Sequence, residues 1–85
     1  MFLEEIKFEF KEAKVKYLRD FILNNNITDS DTISLHHTVY DEIALDHRKV
    51  YGTPLVTPFF MLGILIKSAD RDTIKKDEAL ILRPY

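Results

Sequence analysis

The chain has 85 residues, of which 12 are Lys or Arg and 14 are Asp or Glu, so its formal charge is −2. It has no Cys and two Gly, and 46% of its residues are apolar. This composition excludes a disulfide framework, a Cys-ligated zinc module, a disordered chain and a Gly-rich phosphate loop. A nearly neutral charge also argues against nucleic acid as a partner. We expect one small domain over residues 1–85 without a cofactor.

The first residues carry two acids, Glu4 and Glu5, where a secretory signal would carry basic residues and then a long apolar stretch. The longest apolar run, residues 59–66, has eight residues, whereas a membrane-spanning helix needs about 20. We therefore expect a cytoplasmic protein with no membrane partner.

The N-terminal segment fits two patterns. Ile6, Phe8 and Phe10 alternate with charged residues, which is typical of a strand. The same segment also places Phe2, Leu3, Ile6 and Phe10 on one helical face, but that arrangement leaves Phe8 among the polar residues. We favour a strand over residues 4–10. Apolar residues at helical spacing then predict a helix over 11–24, which the Asn run 24–26 can end.

Residues 32–36 predict a short strand that leads into a helix over 38–51. Thr38 is a suitable N-cap, with Asp41 and Glu42 in the first turn. Gly52 is placed to end the helix in the left-handed conformation, and Pro54 prevents its continuation.

The run Phe59–Ile66 is apolar at every position apart from Gly63, which predicts one central strand that is apolar on both faces. Residues 79–83 form a second apolar run, and the polar segment 67–78 is expected to join the two as a hairpin. The elements together predict an α+β domain of two layers in the order β-α-β-α-β-β. Two helices are expected to pack on one face of a mixed sheet with three or four strands.

The densest group of potential ligands is found where a strand is expected to meet a helix. His and carboxylate side chains can hold a metal or act as acid and base, so His36, His37, Asp41 and His47 are metal or catalytic candidates. Their spacing matches no established metal-site pattern, and we favour the interpretation that His37 is a residue of the strand–helix junction and that the acids form a solvated face. His47 lies within the apolar arc of its helix, where we expect it to bond a backbone carbonyl, Ser34 or Tyr40. A pH-sensitive interface contact is the alternative.

The chain has more apolar surface than two helices can cover. An uncovered apolar face usually marks a protein–protein contact, so the sequence predicts a non-enzymatic interaction module that forms a homodimer. The alternatives are that Leu55, Val56 and Ile74 cover the second face, or that the His and Asp group serves a small metal-dependent or acid–base enzyme. The predicted interface residues are Leu45, Phe60, Leu62, Ile64 and Ile66.

Overall fold

A computed structural model describes residues 3–69 and 74–84. The predicted α+β class is confirmed, although the sheet has five strands instead of three or four. The elements in chain order are β1 (Leu3–Glu9), α1 (Val15–Asn24), β2 (Thr32–Leu35), α2 (His37–Tyr51), β3 (Phe59–Met61), β4 (Ile64–Ser68) and β5 (Glu78–Pro84).

The strands are arranged side by side in the order β1-β5-β2-β4-β3. β2 and β4 run parallel, and every other neighbouring pair is antiparallel. The predicted hairpin between the last two apolar runs is therefore wrong, because β2 lies between β4 and β5. β2 takes this central place with Ile33, Ser34 and Leu35 buried.

The strand prediction for the N-terminus is confirmed, but β1 ends at Glu9 and the chain then turns Phe10 into the core. The Phe10 ring packs edge-on against Tyr17 and Phe21 of α1, with centroid distances of 4.9 and 5.3 Å. These contacts hold α1 against the end of β1.

The helix α1 begins at Val15, four residues later than the sequence predicts. No side chain at the N-terminus of α1 forms a capping hydrogen bond with the first N–H groups of the helix. Instead, the Val15 N–H donates to a carboxylate oxygen of Asp46 in α2 at 2.8 Å. The predicted Asn ending is confirmed, since Asn26, two residues after the end of the helix, adopts a left-handed φ of 54°.

The helix α2 begins one residue earlier than predicted, and its N-cap is His36, not Thr38. The ring Nδ1 of His36 accepts a hydrogen bond from the Thr38 N–H at 3.1 Å. Asp41 consequently lies in the second turn, beyond the unpaired N–H groups. The predicted end is confirmed: Gly52 has a φ of 73°, and its N–H donates to the Arg48 carbonyl at 2.8 Å.

The apolar run Phe59–Ile66 is not one strand but a hairpin of β3 and β4. Its two-residue turn consists of Leu62 and Gly63, with φ values of 53° and 80°. Positive φ at both central residues defines the type I′ turn, whose twist suits two antiparallel strands. The turn reverses the chain, so Phe59 pairs with Ile66 and Met61 pairs with Ile64.

The two faces of the sheet differ in what covers them. One face carries the residues that join the helices in a single core, and we call it the inner face. Its core residues on the strands are Ile6, Phe8, Ile33, Leu35, Phe59, Met61, Ile64, Ile66, Ala79 and Ile81. Leu18, Phe21 and Ile22 from α1 and Val39 and Ile43 from α2 fill the same cluster. The residues that alternate with these on the strands form the outer face.

An ion pair fastens the start of β2 to the end of β5. Arg83 donates from Nε and Nη2 to the two carboxylate oxygens of Asp31, each at 3.0 Å. The Thr28 N–H donates to the same carboxylate at 2.9 Å. These bonds, those from Arg83 above all, hold the pKa of Asp31 below its usual value although burial opposes the shift.

In the described ranges, neither helix is long and apolar enough to cross a bilayer.

Candidate interaction surface

The outer face carries a row of side chains that crosses the whole sheet. The strand register aligns Phe60 of β3, Leu65 of β4, Thr32 of β2, Leu82 of β5 and Glu5 of β1 side by side. Side chains directly opposite one another on neighbouring strands point to the same face and contact each other. The row is therefore apolar over β3 and β4, and again at β5.

Apolar residues extend this row on the β5 side. Leu80 lies one rung away, beside Ser34 of β2, and Leu3 of β1 pairs with Pro84 at the other end of β5. Phe60 and Leu3 are 55% and 53% exposed, while Leu65, Leu80 and Leu82 are half-buried by their neighbours in the sheet. None of these apolar side chains belongs to the core that the helices cover.

The predicted interface residues divide into two groups. Phe60 and Leu62 are exposed, as the prediction requires. Ile64 and Ile66 are each 1% exposed and lie on the inner face, so the structure corrects this part of the prediction. The reason is the turn at Leu62 and Gly63: on one continuous strand these four residues would share a face, but the turn moves the last two to the opposite face.

Leu45 is 61% exposed but belongs to the helical layer, on the other side of the domain from the outer face. It lines a groove of about 410 Å³ between α2 and the segment that follows it, together with Pro54 and Leu55. Leu45 and Phe60 therefore cannot contribute to one flat interface, and the sequence grouped two separate surfaces.

The proposed covering of the second face is found only in part. Ile74 is buried, but it is not a member of the core that the helices cover. Val56 is 76% exposed and Leu55 lines the groove beside α2. The loop residues that the structure describes therefore leave the Phe60 end of the outer face open.

Among the described residues, the His and Asp side chains at the start of α2 are not brought together with a third potential ligand. His36 and His37 stack with ring centroids 4.3 Å apart, and Nδ1 of His36 is occupied by the helix cap. Asp41 lies on the exposed side of α2 and lines the groove beside Leu45. Within residues 3–69 and 74–84, no three His, Cys, Asp or Glu side chains are close enough together to hold a metal ion.

His47 lies apart from the other two histidines, near the end of α2. Its Nδ1 is 3.1 Å from the Thr53 carbonyl oxygen, and its ring contacts Tyr51 at a centroid distance of 4.8 Å. The expectation of a backbone carbonyl partner is met, while Ser34 and Tyr40 are not its partners. His47 thus links the end of α2 to the segment that leads to β3.

The sequence prediction missed four apolar residues of this surface, which are Leu3, Leu65, Leu80 and Leu82. The period-two alternation of residues 79–83 could have identified two of them, since Ala79 and Ile81 are buried and Leu80 and Leu82 are not. Leu65 could be assigned only after the turn at Leu62 was known.

No family model matches the chain, and no curated protein or solved structure is significantly similar to it.

Proposed function

We propose that the protein is a small interaction module that binds a second copy of itself through the outer face of its sheet. The observation that supports this is the apolar row from Phe60 through Leu65 to Leu82. Apolar surface on one side of a small sheet gains free energy when another protein surface removes it from water. That the module is non-enzymatic and acts in the cytoplasm stays a prediction.

A second copy is the simplest partner because a two-fold axis can place the same apolar row on both sides of the contact. Self-association is also a common way for a domain below about 100 residues to gain stability, since its own core buries a limited share of its surface. The chain has no Cys to provide a disulfide instead.

The test compares two Lys substitutions of exposed apolar residues on opposite layers. Phe60→Lys changes the outer face, and Leu45→Lys is the matched control on α2, with a similar exposure of 61% against 55%. Both variants should keep the far-UV circular dichroism spectrum of the wild type, because neither side chain is part of the core. The mass of each would be measured by sedimentation velocity over a range of protein concentrations.

We expect the wild type to have at least twice the mass of the 10.0 kDa chain, with Phe60→Lys lowering that mass and Leu45→Lys leaving it unchanged. A wild-type monomer at tens of micromolar would contradict self-association. Dissociation by Leu45→Lys but not by Phe60→Lys would move the contact to the helical layer and contradict the outer-face proposal.

A further inference from the structure

The strand β1 forms an open edge of the sheet. It pairs with β5 along all seven of its residues, and no described segment pairs with its other side. An unpaired edge presents a row of backbone N–H and C=O groups that can accept another strand. The opposite edge, β3, has three residues, so β1 presents the longer row of unpaired backbone groups to another strand.

Three charged residues of β1, Glu5, Lys7 and Glu9, lie on its outer face, and its core residues Ile6 and Phe8 lie on its inner face. Within the chain, Glu5 lies opposite Leu82 and Lys7 lies opposite Leu80, and both leucines are uncharged. Among the described residues, neither of the two forms an ion pair. Their charges are therefore available to a strand on the open side.

The two charges that flank Ile6 on β1 are complementary to their own reversal. If two copies of β1 run antiparallel with a two-fold axis at Ile6, Glu5 of each copy lies opposite Lys7 of the other. The axis also places Ile6 against Ile6 on the inner face. This register pairs all seven residues of β1 and creates two ion pairs on the outer face, where opposite charges directly across two strands attract.

Other registers fit less well. Moving the axis to Glu5 places Glu5 against itself, and moving it to Lys7 places Lys7 against itself and Glu5 against Glu9. Moving it to Phe8 matches Lys7 with Glu9, but only three residues within the strand then overlap. A shift by one residue places outer-face residues opposite inner-face residues. Charged residues on an edge usually discourage pairing, but here they favour one register.

We propose that two copies of the chain pair along β1 in the register centred on Ile6, which joins their sheets into one continuous sheet of ten strands. This contact goes beyond the outer-face contact because it uses the edge of the sheet, and either contact can exist without the other. Since its two-fold axis is perpendicular to the sheet, both helical layers stay on the same side.

Charge reversal tests the register directly. Glu5→Lys alone places Lys opposite Lys in both pairs, and Lys7→Glu alone places Glu opposite Glu. Each single variant should raise the dissociation constant of the β1 contact about tenfold or more, because two attractive pairs become repulsive. Lys16→Glu, an exposed charge reversal on α1 in the helical layer, is the matched control and should leave this constant unchanged.

Mixing the two single variants restores the match. The Glu5→Lys chain carries Lys at both of these outer-face positions, and the Lys7→Glu chain carries Glu at both. An equimolar mixture should therefore form heterodimers, because every charged pair across the contact is again attractive. Native mass spectrometry with one variant labelled with ¹⁵N would identify them. Circular dichroism would confirm that each variant is folded, as expected for exposed positions.

The outcomes separate this proposal from the outer-face proposal. Dissociation by Glu5→Lys and by Lys7→Glu, with recovery on mixing, supports the β1 contact whether or not Phe60→Lys has an effect. If Phe60→Lys dissociates the protein while the two β1 variants keep the wild-type mass, the β1 proposal is overturned and the outer-face proposal stands. Dissociation without recovery on mixing also overturns the proposed register.

Discussion

Replacing Ile64 with Ala should destabilise the domain far more than replacing Phe60 with Ala. Ile64 is 1% exposed and contributes to the core, whereas Phe60 is 55% exposed on the outer face. Truncating Ile to Ala removes three carbon groups, each worth about 0.8 kcal/mol of transfer free energy, or about 2.4 kcal/mol together. The cavity that remains raises the expected loss to about 3 kcal/mol.

This loss is large for a domain of this size. At about 0.05–0.15 kcal/mol per residue, 85 residues have a free energy of unfolding of about 4–13 kcal/mol. Phe60→Ala should cost below about 1 kcal/mol, since most of its ring already contacts water. The assay is urea unfolding followed by far-UV circular dichroism. With a slope of about 1–3 kcal/mol per molar urea, Ile64→Ala should lower the midpoint by about 1 M or more.

The comparison tests the turn at Leu62 and Gly63 as well as the burial. On one continuous strand, Phe60 and Ile64 would lie on the same face and their substitutions would have similar effects on stability. The measurement should be made at several low protein concentrations, so that an effect of Phe60→Ala on the proposed self-association is not mistaken for a loss of core packing. Equal losses for the two variants at every concentration would refute the assignment of the two residues to opposite faces.

Two further predictions concern the turn and the ion pair of Asp31. Leu62→Asn should raise the free energy of unfolding by about 1 kcal/mol, because Asn tolerates the left-handed backbone that costs Leu about 1–2 kcal/mol; an unchanged or lower urea midpoint would contradict this. Asp31→Asn should destabilise the domain at neutral pH. The pKa of the Asp31 carboxyl is lower in the folded protein than its usual value of 3.8. The ionised carboxylate therefore stabilises the fold at pH values above 3.8, and this stabilisation is lost as the pH falls through the lower pKa of the folded state. The difference in urea midpoint between this variant and the wild type should therefore shrink in acid; a constant difference would show that ionisation of Asp31 does not contribute.

The sequence predicted elements well where their signals are local. The end of α2 depends on Gly52 and Pro54, which act within a few residues of the helix, and the alternation in β1 identified the side chains that face the core. The start of α1 could not be predicted in this way, because the carboxylate that receives the Val15 N–H belongs to Asp46, 31 residues away. The position of β5 between β1 and β2 is likewise set by contacts across the whole chain.

The turn in the hairpin was missed for a different reason. Two-residue turns of this type are usually recognised from Asn-Gly or Asp-Gly, since both residues need a positive φ. Leu62 conceals the signal by extending an apolar run through the turn. Because this turn was not recognised, Ile64 and Ile66 were assigned to the wrong face and Leu65 was left out of the predicted surface. The assignment of residues 59–66 to the interface therefore depended on this one local feature.

The outer face and the β1 edge have different symmetry requirements, which makes them compatible. The β1 axis is perpendicular to the sheet, whereas the axis of a contact between two outer faces lies parallel to the sheets, between them. Perpendicular two-fold axes that meet generate a closed tetramer with three two-fold axes. Pairing along β1 also places two apolar rows on the same side of one larger sheet. Two such dimers can then meet through two outer-face contacts at once, and the second contact forms at a high effective concentration. Edge pairing would in this way strengthen the proposed outer-face contact.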